Sequence, residues 1–269
     1  MIEGGGVLAA AVAASRRASE ERAKGAVRSA IERRAEAAQP RPRGLQESLA
    51  KPGLRVIAEC KRRSPSKGVL RRDYQPAVIA AGYARAGAAA ISVLTEPTFF
   101  DGSLEHLSAV RAAVDLPVLR KDFISSEFQL VEARAAGADA VLLIVAALTD
   151  QELRTLIAKT TSHGLGALVE AHTEVELQRA QDAGATLVGV NCRDLRTLTV
   201  DPKVFEAIAR GWRQGTIAVA ESGIRSTADA LALLELGYRG FLIGERFMSA
   251  EDPGAALEAF LAGAREVTR

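Results

Sequence analysis

From Leu54 onward the chain alternates between short apolar runs and longer segments rich in Ala, Leu, Glu and Arg. The apolar runs begin near Arg55, Ala90, Pro117, Asp139, Gly166, Leu187, Thr216 and Arg239. Short apolar runs bounded by turn residues read as buried strands, and the segments between them read as helices. Ala-Gly-Ala at 86–88, 136–138 and 183–185 marks helix ends, because glycine adopts the left-handed turn that closes a helix. Strands alternating with helices imply parallel βα units. Eight such units in roughly 210 residues predict an α/β protein of the closed (β/α)8 barrel type, which usually takes ~250 residues. A doubly wound sheet would announce itself with Gly-x-Gly-x-x-Gly after its first strand, and that motif is absent there.

Val7 to Ala38 is rich in Ala, Arg and Glu, which favour helix. Gln39-Pro40-Arg41-Pro42-Arg43-Gly44 stops it, since proline cannot continue a helix. Residues 1–44 therefore read as a helical extension and linker, and residues 45–269 as the barrel. The apolar positions of the extension are mostly Ala, so little core burial is expected from it. Gly4-Gly5-Gly6 has no strand before it and reads as a loose terminus.

The strand ends carry the chemistry. Val56-Ile57-Ala58-Glu59-Cys60-Lys61 begins apolar and then places Glu59 and Lys61 two apart, on one face of a strand. Charges on an inward face are rarely buried unless paired or functional. The run opens into Arg62-Arg63-Ser64-Pro65-Ser66-Lys67-Gly68, a cationic loop of turn residues. A surface Glu–Lys pair would explain one such strand end. The pattern recurs, however, at Leu119-Arg120-Lys121-Asp122, Leu168-Val169-Glu170, Val190-Asn191 and Ala220-Glu221-Ser222-Gly223. In a barrel, strand C-termini and the loops after them form the active face. Lysines and carboxylates there suit proton transfer, with burial among cations lowering a lysine pKa and burial raising a glutamate pKa.

Composition narrows the classes. The net charge is only +2, which does not suggest a nucleic-acid binder. Cys60 and Cys192 form no CxxC, and the histidines at 106, 163 and 172 are scattered, so neither a disulfide scaffold nor a metal site is expected. No apolar run approaches the ~18–20 residues of a membrane span. Glu20, Glu21, Glu32 and Glu36 argue against a transit peptide. The expectation is a cytoplasmic enzyme, a monomer or weak homodimer, acting on a small molecule without a cofactor.

Two late loops look like an anion clamp. Glu221-Ser222-Gly223-Ile224 follows the seventh strand and Ile243-Gly244-Glu245 the eighth. Barrels commonly bind phosphate there, with backbone N–H groups that glycine lets approach closely. Glu245 is awkward beside an anion, and its side chain is expected to turn away.

At these motifs the chain resembles the indole-3-glycerol phosphate synthase family of tryptophan biosynthesis. The resemblance also rests on Ser92-Val93-Leu94-Thr95, Phe99-Phe100-x-Gly102-Ser103, Leu119-Arg120-Lys121-Asp122-Phe123, Val169-Glu170-Ala171-His172 and Asn191-Cys192-Arg193-Asp194-Leu195. The matching motifs run in family order from about residue 54 to 250; Cys192 replaces a common Asn and alternates away from its polar neighbours. The family converts 1-(2-carboxyphenylamino)-1-deoxyribulose 5-phosphate to indole-3-glycerol phosphate, CO2 and water. The resemblance implies Lys121 as general acid for ring closure, Lys61 as cationic stabiliser, and Glu59 as the group that holds both lysines. It implies Glu170 as base for dehydration and Asn191 as a hydrogen-bond partner of the sugar hydroxyls or of Glu170's surroundings. Arg193 would pair with the anthranilate carboxylate, Pro65 and Phe123 would sandwich the ring, and Ser64 and Glu221 would complete the substrate contacts. Ser222, Gly223, Gly244 and the Glu245 backbone would take the phosphate.

A sugar-phosphate isomerase could share the phosphate clamp, but would lack the arginine matched to a carboxylate and the ring-stacking pair. A non-catalytic binding subunit would have lost Lys121 or Glu170, and both are present.

Overall fold

The computed structural model of the protein describes residues 6–38, 44–195 and 197–267. Eight parallel strands close into a barrel: β1 (Arg55–Cys60), β2 (Ala90–Leu94), β3 (Val118–Lys121), β4 (Ala140–Ile144), β5 (Gly166–Ala171), β6 (Leu187–Asn191), β7 (Ile217–Glu221) and β8 (Gly240–Ile243). β1 closes the ring by pairing with both β2 and β8. The strands read as nearly unbroken apolar runs because each is buried on both sides, by the barrel interior and by the outer helices. They begin within a residue of the positions expected from the apolar runs. The helix-ending glycines also behave as expected, with φ of 97° at Gly87, 90° at Gly137 and 93° at Gly184.

A short helix, Leu45–Leu49, closes the barrel floor. Leu45 and Leu49 are buried, and a side chain on Gly240 would strike Leu49. Glycine at the start of β8 thus makes room for the plug.

The extension is helical, as expected, but it is two helices: α1 (Val7–Arg22) and α2 (Gly25–Ala37). The expected linker at 39–43 and the glycines at 4 and 5 lie outside the described residues. α1 packs more firmly than its alanines suggest. Leu8, Ala11 and Val12 are buried, at the i, i+3, i+4 spacing of a helix face. Arg22 forms a close ion pair with Glu132, which is fully buried on the helix Glu127–Ala136. Glu132 also meets Arg120 at 3.4 Å, and Arg120 donates to Asp122 at 2.8 Å. This buried network has its cations and carboxylates in balance. Removing a fully buried partner, Arg120 or Glu132, would cost about 3–5 kcal/mol; Arg22 is more than a third exposed, so its loss costs less. Among the described residues no helix is long and apolar enough to cross a membrane.

Candidate active site

A cavity of about 470 Å³ opens at the C-terminal end of the strands. Its walls include Glu59, Lys61, Ser64, Pro65, Lys121, Phe123, Asn191, Arg193, Glu221, Ser222, Gly223, Gly244 and Glu245. The barrel thus gathers almost every residue singled out in the sequence. Glu170 is the exception: it is buried behind the wall and reaches the cavity through Lys121.

The floor is a cluster of opposite charges. Lys121 Nζ donates to Glu170 Oε2 at 3.3 Å and to Glu221 Oε2 at 3.2 Å. Lys61 Nζ lies 2.6 Å from Glu59 Oε1. Glu59 therefore holds Lys61 directly and acts on Lys121 only through its charge. Lys121 departs from the sequence expectation in one respect. Burial pulls its ammonium pKa down, but Glu221, Glu170 and Glu59 outweigh burial and hold it above the ordinary lysine value. Its neighbours are carboxylates rather than cations, so the shift is upward. Burial pushes the Glu221 carboxyl up to about 8, with Lys121 opposing and Glu170 and Glu59 adding to the rise.

The aromatic wall comes from two strand ends. Phe123 follows β3 and is buried. Phe100 ends the short turn Pro97–Phe100 and lies 6.4 Å from Phe123, centroid to centroid. The turn is held by Glu96, whose buried carboxylate accepts from the N–H groups of Thr98, Phe99 and Phe100. A side chain on Gly102 would lie 2.4 Å from the Leu94 carbonyl, so glycine lets this loop fold back on β2. In the sequence Phe100 belongs to a motif but carries no role. Leu8 of α1 is not singled out there, although it lines the cavity. The i, i+4 pair of Leu8 and Val12 was the available signal.

The loop after β1 is more ordered than its turn residues imply. Arg63–Ser64 and Gly68–Val69 pair as a small antiparallel hairpin. Lys67 N donates to Ser64 Oγ at 3.2 Å, and Arg62 forms a close ion pair with Asp101.

On the opposite wall, Asn191 Oδ1 accepts from Arg193 N at 3.0 Å, and Arg193 Nη1 donates to Leu198 O at 3.1 Å. Arg193 Nη2 lies 3.7 Å from Glu245 Oε2, and Lys67 Nζ lies 3.9 Å from Glu245 Oε1. The Glu245 side chain does not turn away from the mouth as expected. Two cations from distant loops draw it across the opening.

The loops after β7 and β8 both face the cavity. Ser222 and Gly223 have φ of 66° and 67°, so this turn runs through two consecutive left-handed residues. Successive N–H groups in such turns form anion-binding concavities. A side chain on Gly223 would lie 2.7 Å from Cys192 Sγ. Arg225 and Arg246 add positive charge to the same rim.

The chain matches the family model described as indole-3-glycerol phosphate synthase over residues 9–260. It is 52% identical over 227 residues to the indole-3-glycerol phosphate synthase of Mycolicibacterium smegmatis, covering 84% of this chain and 83% of that protein. It is 51% identical over 226 residues to the enzyme of the same name from Carboxydothermus hydrogenoformans, covering 82% of this chain and 86% of that protein. Among solved structures, a thiamine phosphate pyrophosphorylase from Pyrococcus furiosus superposes with a TM-score of 0.60 at 20% identity, covering 80% of this chain and 98% of that one. That likeness concerns the barrel fold alone. Half identity over more than four-fifths of the chain, with the family's motifs gathered around one cavity, places this protein in the indole-3-glycerol phosphate synthase family.

Proposed function

We propose that this chain closes the indole ring of 1-(2-carboxyphenylamino)-1-deoxyribulose 5-phosphate, releasing CO2 and water to give indole-3-glycerol phosphate. Membership of the family over residues 9–260 is the observation that carries the activity. The cavity supports the following division of roles.

The phosphate binds the N–H groups around Gly223 and Gly244, beside Ser222 and the backbone of Glu245. The anthranilate ring lies against Phe123 and Pro65, with Ser64 beside it and Phe100 extending the wall. Its carboxylate pairs with Arg193, whose planar fork suits a carboxylate. Glu245 occupies Arg193 in the free protein, and the substrate carboxylate replaces it.

The ring carbon that bears the carboxylate attacks the ketone carbon. Lys121 gives a proton to the developing alkoxide, which is far more basic than an ammonium. Lys61, held by Glu59, stabilises the negative charge. Loss of CO2 returns the electron pair to the ring. Glu170 then removes the proton on the carbon next to the one that bears the hydroxyl, and the hydroxyl leaves as water with a proton from Lys61; the proton taken by Glu170 returns to Lys121, 3.3 Å away. Asn191 and Glu221 hold the sugar hydroxyls in line for that elimination. No cofactor enters these steps. We place the reaction in the cytoplasm, in a monomer or weak homodimer.

The test is direct. Purified protein given the anthranilate-derived ketose phosphate should develop indole fluorescence, and its gene should restore growth of a tryptophan auxotroph lacking this step. An inert protein in both assays overturns the reading.

A further inference from the structure

Gly189 lies in the middle of β6, in register with Glu170 of β5 and Val219 of β7. It is not among the left-handed residues of the chain, so no turn demands glycine there. A glycine inside a strand weakens it and marks a close approach of some other group. Here that group is a carboxylate. A Cβ built on Gly189 would lie 2.0 Å from Glu221 Oε1 and 3.2 Å from Glu221 Cδ. The space a side chain would fill at position 189 is filled by the end of Glu221.

The two oxygens of Glu221 are held differently. Oε2 accepts the hydrogen bond from Lys121 at 3.2 Å. Oε1 is buried and has no hydrogen-bond partner among the described residues. Oε1 is therefore located by shape, in the notch above Gly189. The same device recurs across the barrel. A Cβ on Gly244 would lie 2.4 Å from Glu59 Oε1, the oxygen that meets Lys61 at 2.6 Å. Each lysine of the floor is thus faced by a carboxylate seated over a glycine.

We propose that Gly189 is a positioning residue, whose missing side chain seats the Glu221 carboxylate against Lys121. The inference rests on the proposed reading of this floor as the ring-closing site. A methyl group at 189 would meet the flexible end of a side chain rather than backbone. The barrel would therefore stay folded while the carboxylate swings off Lys121. Lys121 would keep Glu170 and lose its second anchor, so the proton donor would be misaligned.

The experiment compares Gly189→Ala, Glu221→Ala, Glu221→Asp and the corresponding double variants in the full chain, with the ketose phosphate as substrate. Gly189→Ala should melt as one cooperative unit and lose roughly 10–100-fold in kcat, with little change in KM. In the Glu221→Ala background the same change should alter kcat by no more than about twofold, since residues acting through one contact are not additive. Adding Glu221→Asp, whose shorter side chain clears the methyl, should recover part of the lost kcat. A crystal structure of Gly189→Ala should show the Glu221 carboxyl out of hydrogen-bond reach of Lys121 Nζ. Wild-type kcat in Gly189→Ala, losses that multiply independently in the Glu221→Ala double, or a Glu221 carboxyl unmoved in the crystal would each overturn the proposal. If the wild-type protein formed no indole product, the functional reading would fail instead, and the crystal structure would still decide the seating of Glu221.

Discussion

Ser15 Oγ on α1 donates a 2.9 Å hydrogen bond to the backbone carbonyl of Phe123. Gln129 Nε2 donates to the same carbonyl at 3.1 Å and to Ser15 Oγ at 2.9 Å. The extension is thereby tied to the strand end that carries Lys121 and Phe123. Ser15→Ala should raise KM several-fold with a smaller effect on kcat, since one hydrogen bond is worth about 0.5–1.5 kcal/mol. Steady-state kinetics check this. Equal KM in the two proteins would mean that α1 does not set the position of Phe123.

Removing residues 1–38 should do more. It takes Leu8 from the cavity wall and Arg22 from Glu132. The truncated barrel should still unfold cooperatively, at a lower Tm, and its KM should rise further than in Ser15→Ala. Arg22→Met alone should lower stability by about 1–3 kcal/mol, the range for a buried group that loses a charged partner. Urea unfolding curves read that difference. No loss of stability would mean that Arg120 alone satisfies Glu132.

The anion clamp makes a separate prediction. Gly223→Ala puts a methyl against Cys192 Sγ and forces a non-glycine residue to a positive φ. Such backbone strain costs of order 1–3 kcal/mol. The turn should relax by withdrawing its N–H groups from the cavity. Inorganic phosphate, a competitive inhibitor by this reading, should then bind at least about tenfold more weakly, the factor that ~1.4 kcal/mol represents. Unchanged inhibition by phosphate would move the clamp elsewhere.

Much of this was legible in the sequence for one reason. Buried parallel strands leave uninterrupted apolar runs, and the glycines after their helices fix the punctuation, so the barrel can be read from Arg55 to Ile243. The strand-end charges were legible because Glu59, Lys121 and Glu221 interrupt otherwise apolar runs. What escaped the reading depends on contacts between distant segments. Leu8 joins the cavity only because α1 crosses the strand ends. Glu245 faces the mouth only because folding brings Lys67 and Arg193 to either side of it. The direction of the Lys121 shift is not legible in the sequence because a lysine's partners are set by neighbouring strands, not by neighbours along the chain. Gly189 looks like an ordinary strand residue until Glu221 is seen above it.

The raised Glu221 carboxyl predicts a pH dependence with a definite sign. Its pKa is about 8 in the folded chain against an ordinary 4.5. Between those values the folded protein binds more protons than the unfolded one, so Glu221 makes stability fall as pH rises. The penalty begins near pH 4.5, grows through neutrality and is complete above about pH 8. Glu221→Gln, which cannot ionise, should flatten that part of the stability–pH curve. The kcat/KM profile of the wild-type protein should bend near pH 8, as an apparent value of the coupled floor, and the bend should vanish in the Gln variant. Equal slopes in the two proteins would place the proton on another group.

The sharpest prediction separates Lys121 from Glu170, which touch at 3.3 Å yet are given different steps. Ring closure comes first and needs a proton at the ketone oxygen. Lys121 lines the cavity and stays charged, so it is the donor in place. Lys121→Met keeps much of the stem and removes the proton. Turnover should fall by about 10²–10⁴, the usual scale for general acid catalysis, with neither CO2 nor indole formed. Glu170 lies behind the wall, so it can act as a base only when Lys121 moves aside or the intermediate settles deeper. Ring closure needs neither motion, so the later step is the one that suits Glu170. Glu170→Gln should therefore leave closure and decarboxylation running while dehydration stalls. Rapid quench of that variant should show CO2 released ahead of the indole chromophore. If the two products appear together at the wild-type rate, Glu170 is only an anchor for Lys121. If Lys121→Met keeps near wild-type speed, the donor is Lys61, which shares the floor and is held by Glu59 at 2.6 Å.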